Sequence, residues 1–520
     1  MNGEIELKLG IPAHAAHRVV RLPWLRRLSS GPPKRRQLRT VYFDTRKSKL
    51  HDRGLVLRVR HVDKQFVQTI KAEGNGAYGP FERGEWEHEV PGAAPNLKLA
   101  EGTPLEPLAT KKLKRKLKPV FETIVQRTTF PLRSEGAELE LAVDRGYIKA
   151  PGIRQRERIS EIEIEVKTGD PGELFRIARQ LARYVVVAYG ARSKDDRGFA
   201  LSRKQPDAPV RGAAISLHGR LTAGEAFQAI GFSCLGHALA NDRAIQRGDP
   251  EGVHQMRIGL RRLRAAISLF KKMLRGSETE AIKRELEWLT EQLGPTRDLD
   301  VLIGGQVRSI REASPVGADV GALEQDLQDR RKAEIDRARG AVESDRYRAL
   351  GLQAALWLAH GEWSYSEAVS TKFRRETPLY VFAEAILAKR TKKLLRKVRK
   401  IERLDPRARH KLRIGVKKLR YACEFFAAAF AGGDKQDARR ERFRKALKRL
   451  QGFLGTLNDI EVHKRFAQAI ARSGNHGPTP PGEALAMGFI TGREDKQISA
   501  CLTGVEKAAA RLAKVPAYWK

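Results

Sequence analysis

The sequence predicts a multidomain α+β protein, β-rich at first and all-α afterwards, because its hydrophobic period changes once along the chain. Up to about Arg203, apolar residues recur at every second position in runs bounded by Gly or Pro. After a linker from Lys204 to about Leu217, which holds Pro206, Pro209 and Gly212, the period becomes helical and an internal repeat is visible. A chain of 520 residues is also too long for one core.

The clearest strands are Glu4–Lys8, Leu55–Arg60, Phe66–Lys71 and Ile159–Val166. Two helical stretches interrupt them, Leu105–Lys116 and Pro171–Tyr189, the second opened by Asp170 before a Pro. Beyond the linker, Thr222 with Glu225 three residues on makes a capping box ahead of Phe227, Ile230, Leu235 and Leu239. From there to Lys514 the pattern is long amphipathic helices without strands. The expected domains are therefore 1–203 and 218–515, joined by the linker 204–217.

Composition narrows the partners. Against 62 Asp+Glu stand 100 Lys+Arg, a formal net charge of +38. Such an excess favours a polyanion: nucleic acid, an acidic membrane surface or a phosphate polymer. Cys234, Cys423 and Cys501 lie far apart without metal-ligand spacing and read as buried apolar residues in a reducing compartment. The first residues hold no apolar h-region, and no apolar run approaches the ~20 residues that span a bilayer. The expectation is a soluble cytoplasmic protein with no membrane partner.

The strands carry similarly stocked polar faces. Glu4, Glu6 and Lys8 share one parity, as do Arg58 and Arg60, Glu85 and Glu87, and Glu161, Glu163 and Glu165. Closed into a barrel, such strands have either an apolar inside or a charged lumen, and alternation alone leaves both open. The chemical inventory says more. Carboxylates hold hard cations such as Mg²⁺ or Mn²⁺, while Lys and Arg neutralise phosphoryl oxygens.

Glu4-Ile5-Glu6-Leu7-Lys8 is an E-x-E-x-K signature. It is followed in order by Tyr42-Phe43-Asp44-Thr45, Leu57-Arg58-Val59-Arg60, Lys71, Arg83-Gly84-Glu85-Trp86-Glu87, Arg127, Asp144-Arg145-Gly146, Glu161 to Glu165, and Ser193-Lys194 with Arg197-Gly198. In combination, residues 1–203 resemble the CYTH, or triphosphate tunnel metalloenzyme, superfamily. That resemblance implies an eight-stranded antiparallel tunnel with a charged interior. It implies metal ligation by Glu4, Glu6, Glu163 and Glu165, with Glu161 a further candidate on the same face. Lys8, Arg58, Arg60, Lys71, Arg127 and Lys194 would bind the triphosphate, and Glu85, Glu87 and Asp144 would position metal or water. Catalysis would need no Ser, Cys or His nucleophile.

In the second half, His254-Gln255-Met256-Arg257-Ile258-Gly259-Leu260-Arg261-Arg262-Leu263-Arg264 aligns with His410-Lys411-Leu412-Arg413-Ile414-Gly415-Val416-Lys417-Lys418-Leu419-Arg420. Downstream, Leu293-Gly294 to Asp298 parallels Leu454-Gly455 to Asp459. This is a duplicated helical bundle. His254, Arg257, Arg261 and Arg264 form one stripe along a helix, reproduced by His410, Arg413, Lys417 and Arg420. Neither stripe contains the acids that a solvated face uses for i,i+4 pairing. These residues resemble the CHAD domain, which implies polyphosphate binding through both stripes, with Arg262 and Lys418 included.

The resulting expectation is an enzyme that hydrolyses inorganic triphosphate to diphosphate and phosphate with Mg²⁺ or Mn²⁺. The helical domain would bind inorganic polyphosphate and associate the enzyme with polyphosphate granules. Thiamine triphosphate hydrolysis or ATP cyclisation in the same tunnel are the alternatives. A non-catalytic scaffold is the rival from another class. Nucleic acid is disfavoured, because the stripes lack interleaved aromatics apart from Tyr421. The sequence leaves the oligomeric state undetermined.

Overall fold

The computed structural model describes residues 4–72, 81–190, 192–204, 208–215, 217, 220–307, 320–430, 432–472 and 481–519. Within these, the side chains of 4, 81–83, 305–307, 320–323, 462–472 and 481–496 lie outside the described set. The strands are β1 (Glu4–Gly10), β2 (Lys34–Asp44), β3 (Leu55–Val62), β4 (Gln65–Ala72), β5 (Phe81–Val90), β6 (Lys118–Ser134), β7 (Ala137–Lys149), β8 (Glu157–Thr168) and β9 (Ala188–Tyr189). The helices among them are α1 (Ala16–Val20), α2 (Pro23–Leu28), α3 (Lys111–Lys116), α4 (Gly172–Leu181) and α5 (Lys194–Ser202).

After the linker come α6 (Ala223–Leu239), α7 (Asp242–Gln246), α8 (Pro250–Phe270), α9 (Ser277–Gln292), α10 (Gly294–Val301), α11 (Val320–Glu343) and α12 (Asp345–His360). They are followed by α13 (Glu362–Tyr365), α14 (Val369–Glu376), α15 (Leu379–Val398), α16 (Pro406–Phe425), α17 (Gly433–Arg472) and α18 (Pro481–Lys514). The capping box forms as its spacing predicts. Thr222 N–H donates to Glu225 Oε2 at 2.8 Å, and Glu225 N–H donates to Thr222 Oγ1 at 3.3 Å. All three cysteines are buried and free. Among the described residues, no helix is long and apolar enough to cross a membrane.

The described chain divides into two compact units. The first is Met1–Arg211 with Leu235–Gln246 and Val342–Glu362; the second is Gly212–Cys234, Arg247–Ala341 and Trp363–Lys520.

In the first unit the strands run β5-β4-β3-β2-β6-β7-β8-β1-β9, all antiparallel. β5 also pairs with β1 through three register positions, Glu4 to Arg83 through Glu6 to Phe81, so eight strands return on themselves. Their polar faces turn inward around a common cavity. Their apolar faces turn outward under loops and helices: Leu57, Val59 and Ile70 pack with Leu105 and Leu113, which follow β5. The barrel is thus inverted, with a charged lumen.

Two predicted helices are shorter than their spacing suggested. In the Leu105–Lys116 stretch only Lys111–Lys116 is α-helical, capped by Thr110 Oγ1 accepting from Leu113 N–H at 3.1 Å. α4 stops at Leu181, and the end of the predicted Pro171–Tyr189 helix is instead β9 on the edge of β1.

In the second unit the repeat helices α8 and α16 start alike. Asp249 and Asp405 cap them, each with Pro at the first helical position. Between them Phe270 lies 6.1 Å from Phe426, its counterpart in the other copy, with Phe382 stacked on Phe270 at 4.6 Å.

Candidate active site

Strand register assembles the site. β8 lies between β1 and β7, and its pairings set residues in rows across the three strands. Glu6, Glu165 and Glu140 form one row, Lys8 and Glu163 the next, and Glu161 and Asp144 the third. From the other half of the barrel β3 contributes Arg58 and Arg60, β4 Lys71 and β6 Arg127. These residues, with Glu85, Glu87 and Lys194, line a cavity of about 760 Å³, apart from Glu161, which is 2% exposed behind Glu163. Every tunnel residue singled out in the sequence whose side chain is described therefore lies at this lumen or directly behind its wall. Glu4 sits in β1, but its side chain lies outside the described residues.

α5 packs against β6, β7 and β8, and its Lys194 and Asp195 line the lumen. Tyr42 stacks on Phe121 at 4.3 Å, and Phe199 of α5 meets Phe121 edge-on at 5.1 Å. A Cβ on Gly198 would stand 2.0 Å from the Phe121 ring, so only glycine lets α5 seat there. This seating delivers Lys194 and Arg197 to the carboxylates. Asp44, beside Tyr42, supports the loop after β2: its Oδ1 accepts from Leu50 N–H and its Oδ2 from His51 N–H, both at 3.0 Å.

Asp144, Glu161 and Glu163 each bring one carboxylate oxygen within 4.8 Å of the others. Lys194 Nζ sits among them, 2.7 Å from Asp144, 2.5 Å from Glu161 and 2.9 Å from Glu163. Arg127 donates to both oxygens of Asp144 at 2.8 and 2.7 Å and also to Glu163. Arg197 donates to Glu161 Oε2 at 3.0 Å. Burial opposes the Glu163 charge, but Lys194, Arg127 and Lys8 outweigh it and hold its carboxyl well below the usual range. Asp144 is likewise lowered: burial opposes, and Lys194 and Arg127 prevail. Glu161 Oε1 touches the Lys194 ammonium yet accepts no hydrogen bond of acceptable geometry. Such an all-oxygen set, with one buried acceptor unsatisfied, fits a hard divalent cation.

The opposite wall is cationic. Arg58 Nη2 lies 3.0 Å from Glu85, and Lys71 contacts the same carboxylate. Arg60 makes no ion pair among the described residues and only a long bond to Thr40 at 3.4 Å. Arg58, burial and Arg127 together push its pKa down to about 10. Thus the pocket's cations repel one another while no anion is bound. Sequence reasoning missed Glu140, because its alignment with Glu165 and Glu6 exists only in the sheet register.

In the second unit, Arg257 lies 4.0 Å from Asp298 and Arg413 4.0 Å from Asp459. Lys417 is pushed down to about 7 by burial, then Arg413 and Arg261, and the helices that carry the two stripes pack against each other. His254 is lowered by burial and Arg297, and His410 Nδ1 contacts Asn458 Oδ1 at 2.5 Å. Among the described residues, buried nitrogens of Arg257, Arg261, Arg413 and Arg420 have no hydrogen-bond partner. Three residues named with the stripes turn elsewhere. Arg262 is 3% exposed and lies 2.8 Å from Glu424, Arg264 lies 3.1 Å from Glu287, and Lys418 bonds Ser268.

An inverted, carboxylate- and cation-lined barrel, followed in the chain by a duplicated basic helical bundle, defines a protein with a tunnel part and a helical part. Residues 2–199 match the CYTH domain and residues 229–468 the CHAD domain, so the chain joins a CYTH domain to a CHAD domain. An inorganic triphosphatase of Haemophilus influenzae is 30% identical over 208 residues, which are 39% of this chain and 56% of that protein. The chain thus matches little more than half the length of this curated relative. The CHAD domain structure from Ricinus communis is 29% identical, with 60% of this chain and 98% of that one covered, at a TM-score of 0.49. A Hippeastrum protein described as an adenylyl cyclase with a dominant triphosphatase activity is 21% identical. It covers 39% of this chain and 95% of its own, at a TM-score of 0.29.

Proposed function

We propose that the tunnel hydrolyses inorganic triphosphate to diphosphate and phosphate with a divalent cation, Mg²⁺ or Mn²⁺, and that the helical module binds polyphosphate. The observation that carries this reading is the lumen's mixed lining, with carboxylates on β1, β5, β7 and β8 and cations on β1, β3, β4 and β6 around one cavity. A surface built only to hold phosphate gains nothing from buried carboxylates that repel it. The Haemophilus relative's description as an inorganic triphosphatase points the same way.

Asp144, Glu161 and Glu163, with Glu6 and Glu165 on the adjoining rows, would hold the cation. When bound, it supplies neutralisation of phosphoryl oxygens and activation of a water. Arg58, Arg60, Lys71 and Arg127 bind the chain of phosphates and stabilise charge on the leaving group. Lys8, salt-bridged to Glu6 at 3.0 Å and 3.6 Å from Glu163, orients the carboxylates against the substrate. Glu85 fixes Arg58 and Lys71, and Glu87, hydrogen-bonded to Thr69 at 2.9 Å, supports the same wall.

For the helical module, polyphosphate suits two basic stripes with unsatisfied guanidinium N–H groups and almost no stacking aromatics. We assign residues 1–203 to the tunnel function and 218–515 to polyphosphate, with 204–217 as linker. The test is phosphate release from tripolyphosphate with and without Mg²⁺, comparing wild type with Glu6→Gln/Glu163→Gln. Metal-dependent release, lost in the variant, is expected. A folded wild type that releases no phosphate overturns the hydrolase reading.

A further inference from the structure

Three clustered carboxylates, two buried and the third half-buried, normally need metal or several cations to coexist. Here the ammonium of Lys194 supplies one of those cations, with contacts of 2.5 to 2.9 Å to all three. It donates a hydrogen bond to Glu163 Oε1 at 2.9 Å and neutralises Asp144 and Glu161 as ion pairs. Arg127 and Arg197 hold the oxygens that Lys194 does not touch, Arg127 sharing Asp144 Oδ2 with it as well, so three cations face three carboxylates. These are the carboxylates whose oxygens lie close enough to share a single ion.

We propose that Lys194 is a resident cation that occupies the metal seat of the empty tunnel and gives it up when a divalent ion enters. This deepens the function proposed above and rests on it. An ammonium and a divalent ion cannot share the seat, because together with Arg127 and Arg197 they would leave it with excess positive charge at low dielectric. The displaced ammonium needs an anion, and Lys194 already borders the cavity where the triphosphate lies. Only its stem has to move. The α5 backbone is fixed by the Ser193 cap, whose Oγ accepts from Asp196 N–H at 3.1 Å, and by the Gly198–Phe121 seat. Metal and triphosphate therefore bind with positive coupling beyond their direct contact: each relieves the other's cost of moving Lys194. The empty tunnel is protected from indiscriminate metal loading.

The experiment is a Mn²⁺ titration of the full-length protein followed by electron paramagnetic resonance, with and without tripolyphosphate. Lys194→Met is expected to bind Mn²⁺ roughly tenfold more tightly than wild type when triphosphate is absent, from removal of the competing charge. In that variant the tightening by tripolyphosphate shrinks. Lys194→Arg, still cationic, stays close to wild type, and Lys194→Gln serves if the Met variant does not fold. Unchanged or weaker Mn²⁺ binding by the folded neutral variant overturns the resident-cation role and leaves the hydrolase reading intact. Wild type that binds no Mn²⁺ even with tripolyphosphate overturns both.

Discussion

Arg262 reaches from the first repeat helix to Glu424 on the second at 2.8 Å, while Lys418 reaches from the second helix to Ser268 on the first at 3.1 Å. The alignment that pairs His254 with His410 also pairs Arg262 with Lys418 and Ser268 with Glu424. Each copy thus makes the same contact to the other, as in a symmetric dimer fused into one chain.

The two contacts should differ in weight. Arg262 is nearly buried but Glu424 is 43% exposed, so the pair is partly screened. Arg262→Ala is expected to destabilise the helical module by about 1–2 kcal/mol, and Lys418→Ala by less than about 1 kcal/mol. Urea unfolding measures both. Polyphosphate affinity should change far less than in Arg261→Ala/Arg413→Ala.

Polyphosphate binding should depend on pH through Lys417. Free Lys417 is pushed down to about 7 by burial, Arg413 and Arg261, and a bound polyanion raises it again. Below pH 7 the amine is already charged and affinity is flat. Above pH 7 each binding event must take up a proton, so affinity falls by up to about tenfold per pH unit. Calorimetry between pH 6 and 9 reads this, and Lys417→Arg should flatten the profile. A wild-type profile already flat across the range contradicts it.

Arg60 offers a trade of stability for binding. Arg58, burial and Arg127 all act against its charge, so Arg60→Gln should leave the thermal midpoint of the protein unchanged or higher. The same variant should raise KM for tripolyphosphate by about tenfold or more, through loss of charge-assisted hydrogen bonds to phosphate. A lower midpoint with unchanged KM would mean that Arg60 is structural.

Gly198→Ala tests the seating of α5 on Phe121. The added methyl collides with Phe121, so α5 must shift and Lys194 leaves its carboxylates. Activity is expected to fall by about 10²-fold, by the cost of misplacing catalytic groups. Pairing it with Phe121→Leu should recover part of the loss by making room.

Much of the tunnel was legible because alternation marks each strand, and because cations and carboxylates fall on one parity. Closure was legible only through the family resemblance, since a strand does not name its neighbours, and the Glu6–Glu165–Glu140 row and the Arg127–Asp144 pair exist only once register is set. The end of α4 was misjudged because Leu181 and Val185 keep helical spacing. Yet Val185-Val186-Val187 is a β-branched run that favours extended chain. On the repeat helix, Arg262 is one position from Arg261 and so about 100° around the axis, which the spacing itself could have revealed. Arg264 does sit on the stripe by spacing, but its partner Glu287 comes from α9, which no single-helix pattern anticipates.

The first unit includes α12, whose His360 ring lies against Gly172 at the start of α4, where a Cβ would come within 2.1 Å of Nε2. Phe175 packs on the same ring at 6.3 Å. During synthesis the strands emerge first, but the cover of α4 is not available until His360 has left the ribosome. At roughly 5–20 residues per second, the partly covered barrel waits many seconds for its last piece. In that interval its apolar outer face is open to chaperones and to neighbouring nascent chains, so expression yield should respond to translation speed between residues 211 and 362.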